Sequence, residues 1–257
     1  MTKRYGLRDD QWDRIKGMLP GQEGTVGVTA RDNRLFVEAV IYRYRAGIPW
    51  RDLPERFGDF RVVHTRFSRW SKKGIWERVF KVLIEDADNE YAMIDATIVR
   101  AHQHSAGAMH STSLQEDIGR SAGGLSTKIH AVVDALGNPT GFFLTPGQAS
   151  DLQGADVLLP QIEALAVLAD KAYDAEEGVR LPLTQRGIEV VIPPKANRLE
   201  SRFYDKALYQ ARHLVENLFA KLKQFRCIAT RYDKRSLNFL GGIYLAASVI
   251  LLYSTWP

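Results

Sequence analysis

From Tyr91 onward the pattern of apolar residues changes, and that change most limits the folds open to this chain. Ala92 to Val99, Lys128 to Asp134 and Thr140 to Thr145 are β-branched runs punctuated by Gly, Pro and Asn, with no helical periodicity between them. Val167 to Asp170 and Ile188 to Ile192 read as two more strands. These alternate with helical segments at Gly154 to Leu165, Glu176 to Arg186, Lys206 to Phe225 and Leu237 to Leu252. Three strands linked without helices predict an antiparallel set, with Gly137-Asn138-Pro139 as a tight link. The later alternation predicts parallel strands added to that set, with helices on the faces. The expectation for 91–257 is an α/β domain, a mixed sheet flanked by helices. His104 to Arg120, rich in Ser, Gly and Gln, reads as a mobile surface loop.

Residues 1–90 have a different texture and read as an all-α domain. A short helix is expected over 7–19, a loop over Gly21 to Asn33, and a helix over Arg34 to Ala46 that Gly47-Ile-Pro breaks. Pro54 can open a further short helix, Gly58-Asp-Phe marks a turn, and Phe60 to Lys73 follows as a helix. At 100° per residue Val63, Phe67 and Trp70 share one face of it, while Arg61, His64, Thr65, Ser68, Arg69 and Lys72 share the other. A helix-turn-helix element that reads a DNA groove needs this division, an apolar side to dock and a basic side to enter. An amphipathic surface helix in a helical bundle would show the same division.

Charge is unevenly placed. Residues 1–90 hold 18 Lys and Arg against 14 Asp and Glu, 91–194 hold 6 against 12, and 195–257 hold 11 against 4. Two basic blocks suit a polyanion, and the acidic block between them could gather cations. The single cysteine, Cys227, rules out an intrachain disulfide or Cys-based zinc site. The polar start Met1-Thr-Lys-Arg-Tyr-Gly lacks the apolar run of a signal peptide, and Gly241 to Tyr253 is short of the roughly 20 residues a bilayer requires. A reducing intracellular compartment is expected.

Three acids sit where this strand order would converge them. Asp95 interrupts the apolar strand Met93-Ile94-Asp95-Ala96, where a carboxylate is costly unless paired or metal-bound. Asp170 closes Val167-Leu168-Ala169-Asp170 at the carboxyl edge, where open sheets bind ligands. Glu216 shares a polar helix edge with Tyr209, Arg212 and Lys223, away from the apolar stripe of Leu208, Ala211, Val215, Leu218, Leu222 and Phe225. Singly, Asp95 could be a satisfied strand acid, Asp170 a helix N-cap and Glu216 half of an i,i+4 pair with Arg212. Together, in this fold order, they favour a metal site.

The spaced motif Tyr209-x₂-Arg212-x₃-Glu216-x₆-Lys223 resembles that of bacterial insertion-sequence transposases of the Asp-Asp-Glu type. Met93-Ile-Asp-Ala-Thr97 resembles their first-Asp strand, and Leu168-Ala-Asp-Lys-Ala-Tyr173 their second-Asp segment. Residues Gly47 to Gly58, Arg69 to Gly74, 125–153 and 226–235 are similar to the insertion sequence 5 family, so the resemblance covers nearly the whole chain. Between Gly107 and Gly123 the chain departs from its relatives, which tend to be more basic and Gly-rich there.

The resemblance implies a ribonuclease-H-like catalytic domain over 91–257 and a helical DNA-binding domain over 1–90. It implies two Mg²⁺ ions, or Mn²⁺, bridged by Asp95 and shared with Asp170 and Glu216, for in-line phosphodiester displacement. Arg212 and Lys223 would bind phosphates and Tyr209 would support the DNA. The helix at 60–73 would grip terminal inverted repeats, in a homodimer or higher synaptic complex acting on double-stranded terminal and target DNA. The implied setting is the bacterial cytoplasm, on the nucleoid, with no membrane. A catalytically idle regulator derived from a transposase is the competing reading, and a nuclease that never joins ends is a third. His102-x-His104 lacks a third soft ligand nearby and reads as surface or DNA-contacting. No nucleotide-binding glycine motif and no Glu-x-Lys occurs.

Overall fold

The computed structural model describes residues 5–24, 29–85, 87–196, 198 and 202–254. The polar start at residues 1–4, and residues 25–28 of the expected 21–33 loop, lie outside the described residues. The chain divides into two compact units, 1–85 with 222–257 and 86–221.

The first unit opens with α1 (Asp9–Ile15), continued by a 3₁₀ turn at Lys16–Met18. α2 (Asn33–Ala46) begins where Asp32 accepts the Leu35 amide, and it stops at Gly47, whose left-handed φ of 74° a side chain would resist. Two 3₁₀ turns, Trp50–Asp52 and Glu55–Phe57, precede α3 (Phe60–Lys72), which Asp59 caps. The first element of the expected helix-turn-helix is therefore a single three-residue turn. Lys73-Gly74 then turns directly into α4 (Ile75–Leu83), a helix the sequence reading omitted, with Gly74 again left-handed. Val63, Phe67 and Trp70 of α3 are buried, and the two rings join an aromatic cluster with Phe36 and Trp76. Truncating a ring as enclosed as Phe67 costs about 3–5 kcal/mol.

The second unit is built on β1 (Tyr91–Ala101), β2 (Gly119–Ser121), β3 (Gly124–Val133), β4 (Pro139–Pro146), β5 (Ala166–Leu168) and β6 (Glu189–Val191). Strands β4, β3 and β1 run antiparallel; β1, β5 and β6 run parallel, giving the order β4-β3-β1-β5-β6, with β2 extending β3 as a hairpin. This mixed order is ribonuclease-H-like. At the β3–β4 link Asp134 accepts the Leu136 and Asn138 amides while Gly137 takes φ 79°. Ala92, Ile94, Val167 and Ala169 face a core completed by α5 (Asp151–Leu158) and α6 (Leu181–Gln185). The 104–120 stretch is more ordered than expected. It holds 3₁₀ turns at Gln103–Ala106 and Leu114–Glu116, and it buries Ser105 and Ile118. α7 (Lys206–Tyr209) runs through a 3₁₀ turn, Gln210–Arg212, into α8 (His213–Lys223). Leu214 of α8 packs on Gly137.

Residues 222–257 pack with the N-terminal helices, so packing draws a different line from 1–90 and 91–257. After α9 (Arg226–Ala229) comes α10 (Ser236–Ser254), apolar on all sides. By length and composition Ser236–Tyr253 is long enough to cross a membrane, longer than the Gly241–Tyr253 stretch first read, but 72% of it is buried inside the protein. α10 packs on α3 and α4, with Gly241 against Ser71 and Trp76 and Gly242 against Tyr44. Arg43 and Asp233, 190 positions apart, form a buried ion pair at 3.0 Å. Removing one partner would strand the other's charge, at a cost of about 3–5 kcal/mol.

Candidate active site

Met93 of β1 and Leu168 of β5 are register partners in a parallel pair. Asp95 lies two residues beyond Met93, and Asp170 two beyond Leu168. The backbone stays extended at Asp170 (φ −74°, ψ 173°), so strand alternation carries both carboxylates to one face, opposite Ile94 and Ala169. Neighbouring strands run about 4.8 Å apart, which makes the two acids close neighbours.

Each acid also has a local partner. Asp95 Oδ1 accepts the Ala96 amide at 2.8 Å, and its Oδ2 accepts Arg212 Nη1 at 2.7 Å. Asp170 lies just past β5 and caps the 3₁₀ turn Lys171–Tyr173, accepting the Ala172 amide at 2.7 Å. Glu216, on the first turn of α8, accepts Arg212 Nη2. The cap weighed for Asp170 and the ion pair weighed for Glu216 are thus both present as contacts, and Arg212 ties Glu216 to Asp95. Burial pushes the Asp95 carboxyl up from its ordinary range; Ala96 and Arg212 oppose the rise, and the charge of Asp170 adds to it.

Tyr209 stands beside Arg212 within the field of Asp170, and burial raises its phenol. Its ring meets Tyr204 edge-on, with centroids 5.6 Å apart. Lys223 is the exposed last residue of α8, two turns after Glu216. Among the described residues no trio of His, Cys, Asp and Glu is gathered closely enough to hold a metal ion. The donor set nonetheless fits a hard divalent cation: all its ligands are oxygens, and two aspartates oppose each other's charge. A guanidinium already occupies the role of shared cation.

On α3, Arg61, Thr65, Arg69 and Lys72 are exposed. His64 and Ser68 are half-buried: the His64 ring lies 5.2 Å from Trp50, and Ser68 Oγ accepts Asn238 Nδ2 at 2.9 Å. These two sit at the seam of the helix wheel, where the 3₁₀ turn and α10 reach them. His102 and His104 meet edge to face, centroids 4.6 Å apart.

One polar hub escaped the sequence reading. Asp174, fully buried, accepts Arg180 Nε at 2.7 Å, Arg198 Nε at 2.9 Å and the Lys195 amide at 2.9 Å. Burial opposes its charge, but these donors outweigh burial and hold the carboxyl far below the usual range. The hub ties the segment after β6 to the turn that carries Asp170. Only its place four residues after Asp170 could have drawn attention to it.

Residues 88–251 match the family described as transposase DDE domain, and residues 7–80 match the one described as "Putative transposase of IS4/5 family". The chain belongs to the transposase DDE domain family, and so to a class of enzymes whose chemistry depends on divalent metal. Among bacterial relatives it is 53% identical over 105 residues to "Uncharacterized protein y4sN" of Sinorhizobium fredii, covering 40% of this chain and 82% of that protein. It is 36% identical over 129 residues to the "Putative transposase for insertion sequence element IS6501" of Brucella ovis, covering 50% of this chain and 99% of that protein. A solved structure, "Mos1 transposase paired-end complex with left transposon end", overlaps 85% of this chain and 82% of that chain, at TM-score 0.28 and 12% identity. That likeness is too slight to place any residue.

Proposed function

We propose that this DDE transposase binds the terminal inverted repeats of its element, cleaves the ends and transfers the strands to target DNA, with Asp95, Asp170 and Glu216 as its catalytic carboxylates. The observation that carries the reading is that Asp95 and Asp170 each lie two residues past the register partners Met93 and Leu168, with Arg212 linking Asp95 to Glu216. The three carboxylates would hold two Mg²⁺ or Mn²⁺ ions, which when bound supply Lewis acidity and offset charge on the reacting phosphodiester.

The chain's own residues do the rest. Arg212 presents a planar fork suited to phosphate as well as to carboxylate, so it can leave the acids for the non-bridging oxygens of the DNA strand. Lys223 adds a second cation along the same helix, and Tyr209 supports the strand beside Arg212. Asp174 keeps the segment leading toward α7 and α8 fixed to the Asp170 turn, which limits how far the third carboxylate can wander. In-line displacement then needs positioning and charge, with no covalent enzyme–DNA bond.

Recognition is assigned to residues 1–90 and chemistry to 91–257. On α3 the contacts fall to Arg61, Thr65, Arg69 and Lys72, while His64 and Ser68 brace the helix from within. Two ends must meet, so a homodimer or larger synaptic complex is expected, working in the bacterial cytoplasm on the nucleoid.

The test supplies DNA bracketed by the element's inverted repeats, a supercoiled target plasmid and Mg²⁺. Joined products support the reading. Cut ends that never join indicate a nuclease, and bound but intact ends indicate an idle regulator.

A further inference from the structure

A cleft of about 330 Å³ in the first unit is bounded by Pro20, Gly21, Thr29 and Ala30 on one side and by the end of α3 on the other. Its floor is Trp70 and Ile75, and three cations line it: Arg66, Arg69 and Lys73. Among the described residues no carboxylate lines it and these three cations make no ion pair. Asp32, the acid whose charge reaches Arg66, is committed to capping α2 through the Leu35 amide at 2.8 Å.

Arg66 is held in place. Its Nη2 donates to Asn33 Oδ1, and its guanidinium lies over the rings of Phe36 (4.2 Å) and Trp70 (4.7 Å). A planar cation fixed on two rings loses little freedom when it takes up a ligand. Burial and the charge of Arg69 both disfavour its charged form, so an anion at this place would relieve both. The loop wall is closed by the Ala30 amide donating to the Gly21 carbonyl at 2.9 Å. Lys73 and Arg69 also favour the carbonyl end of α3, and both line the cleft.

We propose that this cleft is an anion site that seats one backbone phosphodiester of bound DNA, with Arg66 as its fixed cation and Arg69 and Lys73 as its mobile ones. The proposal rests on the reading that the chain binds DNA, and it assigns Arg69 to the sugar–phosphate backbone rather than to base edges. Phosphate contacts set register without reading sequence.

The experiment measures binding of the full chain to DNA carrying the inverted repeat, and to scrambled DNA, from 50 to 200 mM salt. The double variant Arg69→Gln/Lys73→Gln changes two exposed side chains, and Arg66→Lys keeps the charge while losing the fork. The double variant is expected to weaken both DNAs alike and to reduce the slope of log K against log salt by about 0.9 per lost contact. With the one phosphate released, the wild-type advantage then narrows about three- to fourfold across that salt range. Arg66→Lys should weaken both DNAs with no change of slope. An unchanged affinity and slope in the double variant overturns the proposal while leaving DNA binding intact. Weakening confined to the inverted repeat also overturns it, because it would mean base readout. Saturable binding of inorganic phosphate by the wild type, with an unchanged DNA slope in the variant, would assign the cleft to a free anion and overturn the DNA proposal. A wild type that binds neither DNA overturns the reading and the proposal together.

Discussion

Arg212 donates from Nη1 to Asp95 Oδ2 at 2.7 Å across 117 positions of sequence, while its Nη2 reaches Glu216 one helical turn away. One guanidinium thus serves two of the three carboxylates assigned to catalysis, and it stands where a divalent cation would compete with it. Both members of the Arg212–Asp95 pair are largely buried, at 21% and 18% side-chain exposure, so their charge-assisted hydrogen bond is worth about 1.5–3 kcal/mol.

A divalent ion must therefore compete with Arg212 for Asp95, and removing Arg212 should lift that competition. Arg212→Gln is expected to bind Mn²⁺ in the absence of DNA up to several-fold more tightly than the wild type, while its DNA cleavage falls. Calorimetry or spin resonance of bound Mn²⁺ reads the first effect. Weaker Mn²⁺ binding by the variant would mean that Arg212 organises the carboxylates for metal rather than competing with it.

His130 gives the fold a pH dependence. Its ring is fully buried, Nε2 shares a hydrogen bond with Thr145 Oγ1 at 2.8 Å, and Nδ1 abuts Gly154 with no partner among the described residues. Burial lowers its pKa from 6.5 to about 4, so the unfolded chain binds the proton more strongly than the folded one. The stability it protects is complete above pH 6.5 and is lost as pH falls towards 4, to the extent of about 3 kcal/mol. Denaturant melts at pH 7 and pH 5 should show a smaller difference for His130→Gln than for the wild type. An equal difference removes His130 as the cause.

Gly242 explains how α10 approaches α2. A Cβ at this position would lie 2.1 Å from the Tyr44 ring, which cannot retreat because its hydroxyl donates to the buried Asp233 at 2.9 Å. Gly242→Ala should cost about 1–3 kcal/mol through overpacking. Gly178→Ala, with nothing within 4 Å of the added carbon, should leave thermal stability almost unchanged. Matching melting temperatures for the two variants would refute the close approach.

Much of the catalytic unit was legible because its signals are local. Alternation placed Asp95 within a strand, and the carboxyl edge of the next parallel strand placed Asp170. The four-residue step placed Arg212 beside Glu216. The Arg212–Asp95 contact was not legible, since it joins helix and strand across more than a hundred residues. Nor was the seating of 222–257 with the N-terminal helices, which depends on Gly242 meeting Tyr44 and Asp233 meeting Arg43. α4 was not legible because it is only nine residues long and its start, Gly74 in the left-handed region, also reads as the end of α3, although Ile75, Trp76, Val79 and Phe80 keep helical spacing. His64 and Ser68 fell on the polar side of the α3 wheel, and only tertiary packing shows Trp50 and Asn238 covering them.

The most direct measurement is cleavage of end-bearing DNA in Mg²⁺ by Asp95→Asn, Asp170→Asn and Glu216→Gln, with end binding measured on the same preparations. Each neutral variant keeps its side chain's size and removes one charge. Cleavage is expected to disappear in all three while DNA affinity stays near that of the wild type. Full cleavage by any one of them would contradict the assignment of that carboxylate to the chemistry.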